Sequence, residues 1–146
     1  MKKYEAAYVR DVKASGVELY VPKFEIKAIN PKDGNSSATF LGYVDTGNDI
    51  VTLPLSVAQS IGINLQGAKK RTALGAGGKE EMPTTDVILE CVFGKETLRV
   101  SCNASFSTNL DSYTPLTGFL GNLGFIEKFD RIVLYPKERR MELFME

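Results

Sequence analysis

The chain has 146 residues, 43% hydrophobic and 25% charged, with 18 basic and 18 acidic side chains and a formal net charge of zero. That length suits one domain and is too short for two ordinary ones. The balanced charge argues against nucleic acid or an anionic membrane as partner, because such binding draws on excess positive charge.

Absences narrow the chemistry further. There is no histidine, which excludes a Ser-His-Asp or Cys-His mechanism and a histidine-bearing zinc site within one chain. The two cysteines, Cys91 and Cys102, are too few for a cysteine-only zinc site and lie in apolar, strand-like runs, so they read as reduced core residues. No phosphate-cradling GxxxxGK[ST] or GxGxxG motif is present. No metal or cofactor is expected. No run approaches the roughly 18 apolar residues of a membrane-spanning helix. The opening MKKYEAA carries positive charge but no following apolar stretch, so a cytoplasmic location is expected.

In chain order, residues 3–12 alternate weakly as a strand, broken by Gly16. Residues 18–29 alternate better, with Phe24, Ile26 and Ala28 on one face and Lys23, Glu25 and Lys27 on the other. The turn-rich NPKDGNSS follows, and residues 38–44 return as a strand that ends at Asp45. Leu55, Ala58 and Ile61 stand at helical spacing, with Pro54 before and Gly62 after, which predicts one or two turns of helix. Residues 71–90 read as a hairpin with a Gly-Ala-Gly-Gly tip. Val87, Leu89, Cys91 and Phe93 alternate, Gly94-Lys95 turns the chain, and Leu98, Val100 and Cys102 return. Residues 101–113 are polar and read as a loop or irregular strand. PLTGFLG is apolar and glycine-rich, and residues 122–130 place Phe125, Ile126 and Phe129 on one helical face. Residues 132–135 and 141–145 close the chain as two strands. The whole reads as all-β, an antiparallel barrel or sandwich with one or two short helices.

Asp45-Thr46-Gly47 is, as a bare tripeptide, an ordinary surface turn. Its shoulders are not ordinary: Val44 precedes it, Ile50 and Val51 follow, and then Pro54 and the short helix. The run YVDTGND, then LP and AQSIGI, resembles the active-site segment of the retropepsin-like aspartic protease family, in its prokaryotic form. TALGAGGKEEMPTTDVILE resembles the family's flap. FLG followed by NLGFIEKFDRIVLYPKERRMEL resembles its second signature. The resemblance covers about residues 21–146 and leaves residues 1–20 as an N-terminal extension.

That resemblance implies a closed retropepsin-like β-barrel with a flap hairpin, and an aspartic endopeptidase. Asp45 would be its catalytic acid, with Thr46 and Gly47 supporting the loop. Asn48, Asp49 and the flap residues Leu74, Gly75, Ala76, Gly77 and Gly78 would contact substrate. A single such motif implies a homodimer, with one Asp45 from each subunit forming the dyad and an extended peptide as substrate. Two positions depart from the family's pattern. Asn48 stands where Ala, Ser or Thr is usual. Asn122 stands where viral members carry an arginine that pairs with the acid matching Asp49, which leaves Arg131 or Arg139 for that pairing. The competing readings are a non-catalytic retropepsin-like module that binds peptides or dimerises, and an unrelated all-β binding protein whose DTG is only a turn.

Overall fold

The computed structural model describes residues 1–75 and 78–146. The strands are β1 (Lys2–Ala7), β2 (Val9–Val12), β3 (Glu18–Val21), β4 (Lys23–Ile29), β5 (Phe40–Val44), β6 (Val51–Pro54), β7 (Lys69–Gly75), β8 (Gly78–Phe93), β9 (Glu96–Ser107), β10 (Thr117–Leu120), β11 (Arg131–Tyr135) and β12 (Arg140–Met145), with one short helix, α1 (Leu55–Ser60), after β6. Six of them close on themselves in the order β4-β5-β10-β6-β9-β8, with β8 pairing back onto β4 from Ile26↔Cys91 to Ile29↔Ile88. Closure removes the free edges that an open sheet of this size would expose. The fold is the expected closed β-barrel, though mixed rather than antiparallel, since β10 runs parallel to β5 and β9 parallel to β6, and β7 extends β8 beyond it as a hairpin.

Period-two alternation fills the barrel. Phe24, Ile26 and Ala28 of β4 point inward, as do Val87, Leu89, Cys91 and Phe93 of β8. Lys23, expected on the solvent face, is instead buried, because the β2–β3 hairpin covers it; its ammonium lies 3.6 Å from Asp11 and 5.5 Å from the Tyr43 ring centroid. Aromatic contacts knit the interior: Phe24 to Phe93 at 4.9 Å, Phe125 to Phe129 at 5.0 Å and Tyr4 to Phe93 at 5.2 Å between centroids, each worth about 0.5–1.5 kcal/mol beyond the area it buries. Both cysteines are free and buried, and burial pushes the Cys91 thiol up and that of Cys102 up to about 12.

Four local readings change. Residues 18–29 are two strands, β3 and β4, divided at Pro22 and belonging to different sheets. Residues 3–12 are two strands rather than one, divided at Tyr8, whose N–H donates to the Arg139 carbonyl. The polar stretch after residue 101 continues as β9 to Ser107, since Ala104 and Phe106 still point inward and β6 pairs alongside in parallel. Residues 122–130 form only a 3₁₀ turn at Ile126–Lys128. Gly124 at φ 97° ends any α-helical path there, and Phe125 and Phe129 reach the core without one.

Helix α1 forms as its spacing predicts. Pro54 sits at its N-cap in extended conformation, and the Ser56 N–H donates to Asp111 Oδ1 at 3.0 Å, a cap supplied from the 3₁₀ turn Asn109–Ser112. The chain termini meet in a three-stranded sheet, β1-β12-β11. Glu142, 8% exposed, accepts from the Tyr135 hydroxyl at 2.7 Å and lies 3.2 Å from both Lys3 and Arg140. The tyrosine hydroxyl first, then the two cations, hold its carboxyl down to about 2 against the opposing effect of burial. Among the described residues no helix is long and apolar enough to cross a membrane.

Candidate active site

Asp45 is the first residue beyond β5, and β10 positions it. β10 pairs in parallel with β5 through Val44↔Leu120 and antiparallel with β6 through Phe119↔Thr52, so it lies between the two strands that carry the loop 45–50. The Asp45 N–H donates to the Leu120 carbonyl at 3.2 Å, which continues the ladder up to the acid itself. Within the loop, Asp45 Oδ1 accepts from the Gly47 N–H at 3.0 Å, and the Asn48 N–H donates to the Asp45 carbonyl at 3.2 Å. Asn48 Oδ1 accepts from the Ile50 N–H at 3.3 Å, so its amide closes the second half of the loop.

A second segment clamps this loop from outside. The Asn122 side-chain amide donates to the carbonyls of Thr46 at 2.9 Å and Asn48 at 3.1 Å. The Asn122 and Leu123 N–H groups donate to the carbonyls of Asn48 and Asp49 at 2.9 and 2.8 Å. This approach requires glycine at 121, since a Cβ there would stand 2.2 Å from the Ile50 carbonyl oxygen and 2.5 Å from that of Asn48. Asn122, read in the sequence as the loss of an arginine, is the residue that fixes the loop. No sequence signal named it for that role, because the clamp joins residues 76 positions apart.

The acid faces a groove of about 670 Å³. Asp45, Gly47, Asn48, Asp49, Ile50 and Phe119 border it on one side, Arg71, Ala73, Glu80 and Met82 of the β7–β8 hairpin on another, and Ser107, Asn109 and Leu110 on a third. Thr46 is exposed and does not line it. Leu74, Gly75 and Gly78 belong to the outer ends of β7 and β8, where Gly75 pairs with Gly78, while Ala76 and Gly77 lie outside the described residues. Asp49 is exposed, and among the described residues its carboxylate has no side-chain partner. The two arginines considered for it are engaged elsewhere: Arg131 stacks over Phe144 at 4.2 Å and Arg139 over Tyr20 at 3.7 Å.

Arg71, Glu80, Met82, Ser107 and Asn109 join the groove without having been singled out in the sequence. The groove carries three carboxylates, Asp45, Asp49 and Glu80, against one cation, Arg71, whose Nη2 donates to Asn103 Oδ1 at 3.4 Å. Among the described residues no group of three or more His, Cys, Asp or Glu is placed to hold a metal ion. A carboxylate lying over a floor of backbone carbonyls and N–H groups, beneath a hairpin, suits proton transfer to and from a bound polar group.

No family model matches the chain, and no curated protein matches it. Among solved structures it is similar to a retropepsin-like aspartic protease from Rickettsia conorii, with a TM-score of 0.57, 22% identity, and coverage of 98% of this chain and 99% of that one. At that identity the likeness is one of fold: this chain has a retropepsin-like barrel, matched over nearly its whole length.

Proposed function

We propose that the protein is an aspartic endopeptidase that works as a homodimer, with Asp45 from each of two chains forming the catalytic dyad. The observation that carries this reading is the placement of Asp45: it leaves a barrel strand at the floor of a groove, in a loop held rigid by Gly121 and Asn122, with a hairpin overhead.

Peptide hydrolysis needs a base to activate water and an acid to protonate the carbonyl oxygen. One carboxyl cannot serve both ends at once. Two carboxyls brought together cannot both ionise comfortably, so they share a proton and divide the roles, and the two titration steps belong to the pair. A twofold axis beside Asp45 supplies the second carboxyl without further sequence. Leu123, 57% exposed and bridged to Ile50 beside the loop, is an apolar residue for the second copy to cover. The peptide would lie extended in the groove between the loop and the hairpin, in the manner of an added strand. Asn48 and Asp49 would face its main chain, and the hairpin tip, residues 74–78, would cover it.

The test is hydrolysis of a denatured protein from pH 3 to 7 by the wild type and by Asp45→Asn, together with sedimentation at high concentration. Cleavage by the wild type, lost in Asp45→Asn, and a dimer in solution are the expected results. A strict monomer that cleaves nothing at any pH would sink the shared dyad. Peptide binding without turnover would favour the non-catalytic module instead.

A further inference from the structure

The β7–β8 hairpin leaves the barrel at Pro83. β8 pairs with β9 from Phe93↔Glu96 to Thr84↔Ser105 and no further toward the tip. Proline has no N–H to donate, so the ladder ends where Pro83 stands. Beyond it residues 78–82 pair only with β7. Continuing the β8–β9 register would set Glu80 opposite Asn109, and at that point a side chain replaces the missing backbone bonds.

The Glu80 carboxylate receives three donors from the segment that ends β9. The Ser107 hydroxyl lies 2.9 Å from both of its oxygens, the Thr108 N–H donates to Oε1 at 3.2 Å, and the Asn109 amide donates to Oε2 at 2.9 Å. The donor sense of Ser107 is settled by its other bond: its oxygen accepts the Asn109 N–H at 3.1 Å, which leaves its proton for Glu80. Ser107 is 2% exposed, so its hydroxyl has little access to water as a substitute partner. Among the described residues Glu80 has no cationic partner; another side-chain hydrogen bond from the outer hairpin to the barrel is the 3.4 Å bond of Arg71 to Asn103, and Met82, 2% exposed, adds an apolar contact. Hydrogen bonds to an ionised acceptor are about twice as strong as neutral ones.

We propose that Glu80 is the latch of this hairpin: a positioning residue whose carboxylate, held by Ser107, Thr108 and Asn109 of the same chain, docks the outer arm over the groove. The latch is complete within one chain, so the hairpin is held in place before any second copy arrives. Its consequence for turnover rests on the endopeptidase reading. The latch touches neither Asp45 nor the scissile bond, so its loss weakens the grip on the peptide and leaves the chemical step largely intact.

The test is amide hydrogen exchange on the full chain, reading residues 69–75 and 78–82 against the barrel strands, in wild type and in Glu80→Ala, Asn109→Ala, Asn109→Asp and the exchange pair Glu80→Gln/Asn109→Asp. Glu80→Ala is expected to speed exchange of the outer hairpin tenfold or more and to leave the barrel within twofold of wild type. The pair, which swaps acceptor and donor, is expected to recover much of the protection that Asn109→Asp alone loses by setting two carboxylates face to face. Should Glu80→Ala fail to fold, Asn109→Ala, which removes a single surface donor, is expected to speed outer-hairpin exchange at least threefold. Exchange within twofold of wild type in the folded variant would overturn the latch. With a peptide substrate, Glu80→Ala is expected to raise KM at least fivefold while kcat stays within about threefold. A wild type that cleaves nothing while exchange responds as expected defeats the protease reading and leaves the latch standing. Active enzyme whose exchange does not respond defeats the latch alone.

Discussion

Asn122 offers a direct test of how the loop bearing Asp45 is held. Its amide makes two hydrogen bonds, to the Thr46 carbonyl at 2.9 Å and to the Asn48 carbonyl at 3.1 Å. A net contribution of about 0.5–1.5 kcal/mol per bond puts the pair at about 1–3 kcal/mol. Thr46 is exposed, so water takes over its carbonyl in a truncated variant, and the lower part of that range applies, about 1–2 kcal/mol. For a chain of this size each kcal/mol moves Tm by about 2–4 °C, so Asn122→Ala is expected to melt about 2–8 °C lower. If the same energy is lost from the positioning of Asp45, kcat falls about tenfold with KM little changed. Asn122→Asp sharpens the test. At pH 7 an ionised carboxylate has no proton to give and faces two carbonyl oxygens, so this near-isosteric change should melt below Asn122→Ala. Melting by circular dichroism at pH 7 and hydrolysis of a fluorogenic peptide read both effects. Asn122→Ala within 1 °C of wild type, or Asn122→Asp more stable than Asn122→Ala, would refute the reasoning.

Two further predictions concern the rest of the barrel. Glu142 has its carboxyl held down to about 2 in the folded protein, against 4.5 for a free side chain. Because the folded value is the lower one, its contribution to stability is complete above pH 4.5 and is lost as pH falls from there toward 2; melting curves across that window should show a loss that Glu142→Gln flattens, and an equally steep loss in that variant would count against the assignment. Ser105 is fully buried, and among the described residues its hydroxyl is the one buried side-chain polar atom without a partner. Ser105→Ala removes a desolvated group worth about 1–3 kcal/mol and should leave Tm unchanged or raise it, whereas a fall of several degrees would mean that the hydroxyl has a partner in solution.

Much of the barrel is legible in the sequence because strand periodicity is local. Phe24, Ile26 and Ala28, or Val87, Leu89, Cys91 and Phe93, sort themselves onto one face by alternation alone, and Pro54 with Gly62 marks the ends of α1. Asp45 and its loop are legible for the same reason, since a turn of Thr and Gly between apolar shoulders is a local oddity. Local pattern fails where tertiary contact overrides it. The aromatic spacing of Phe125, Ile126 and Phe129 predicts a helix, yet Gly124 takes a left-handed conformation and the core accepts both phenylalanines from a 3₁₀ turn. Lys23 reads as solvent-facing until the β2–β3 hairpin covers it.

The sequence by itself determined most of the inward-facing strand residues and the acid at the end of β5, and left barrel and sandwich both open. Only the tertiary structure decided what holds that acid in place and what stands over it. Asn122 reaches back to Thr46 across 76 positions, and Ser107 to Glu80 across 27. Such bonds leave no periodic trace along the chain, because what brings the partners together is barrel closure, which depends on the register of all six strands at once.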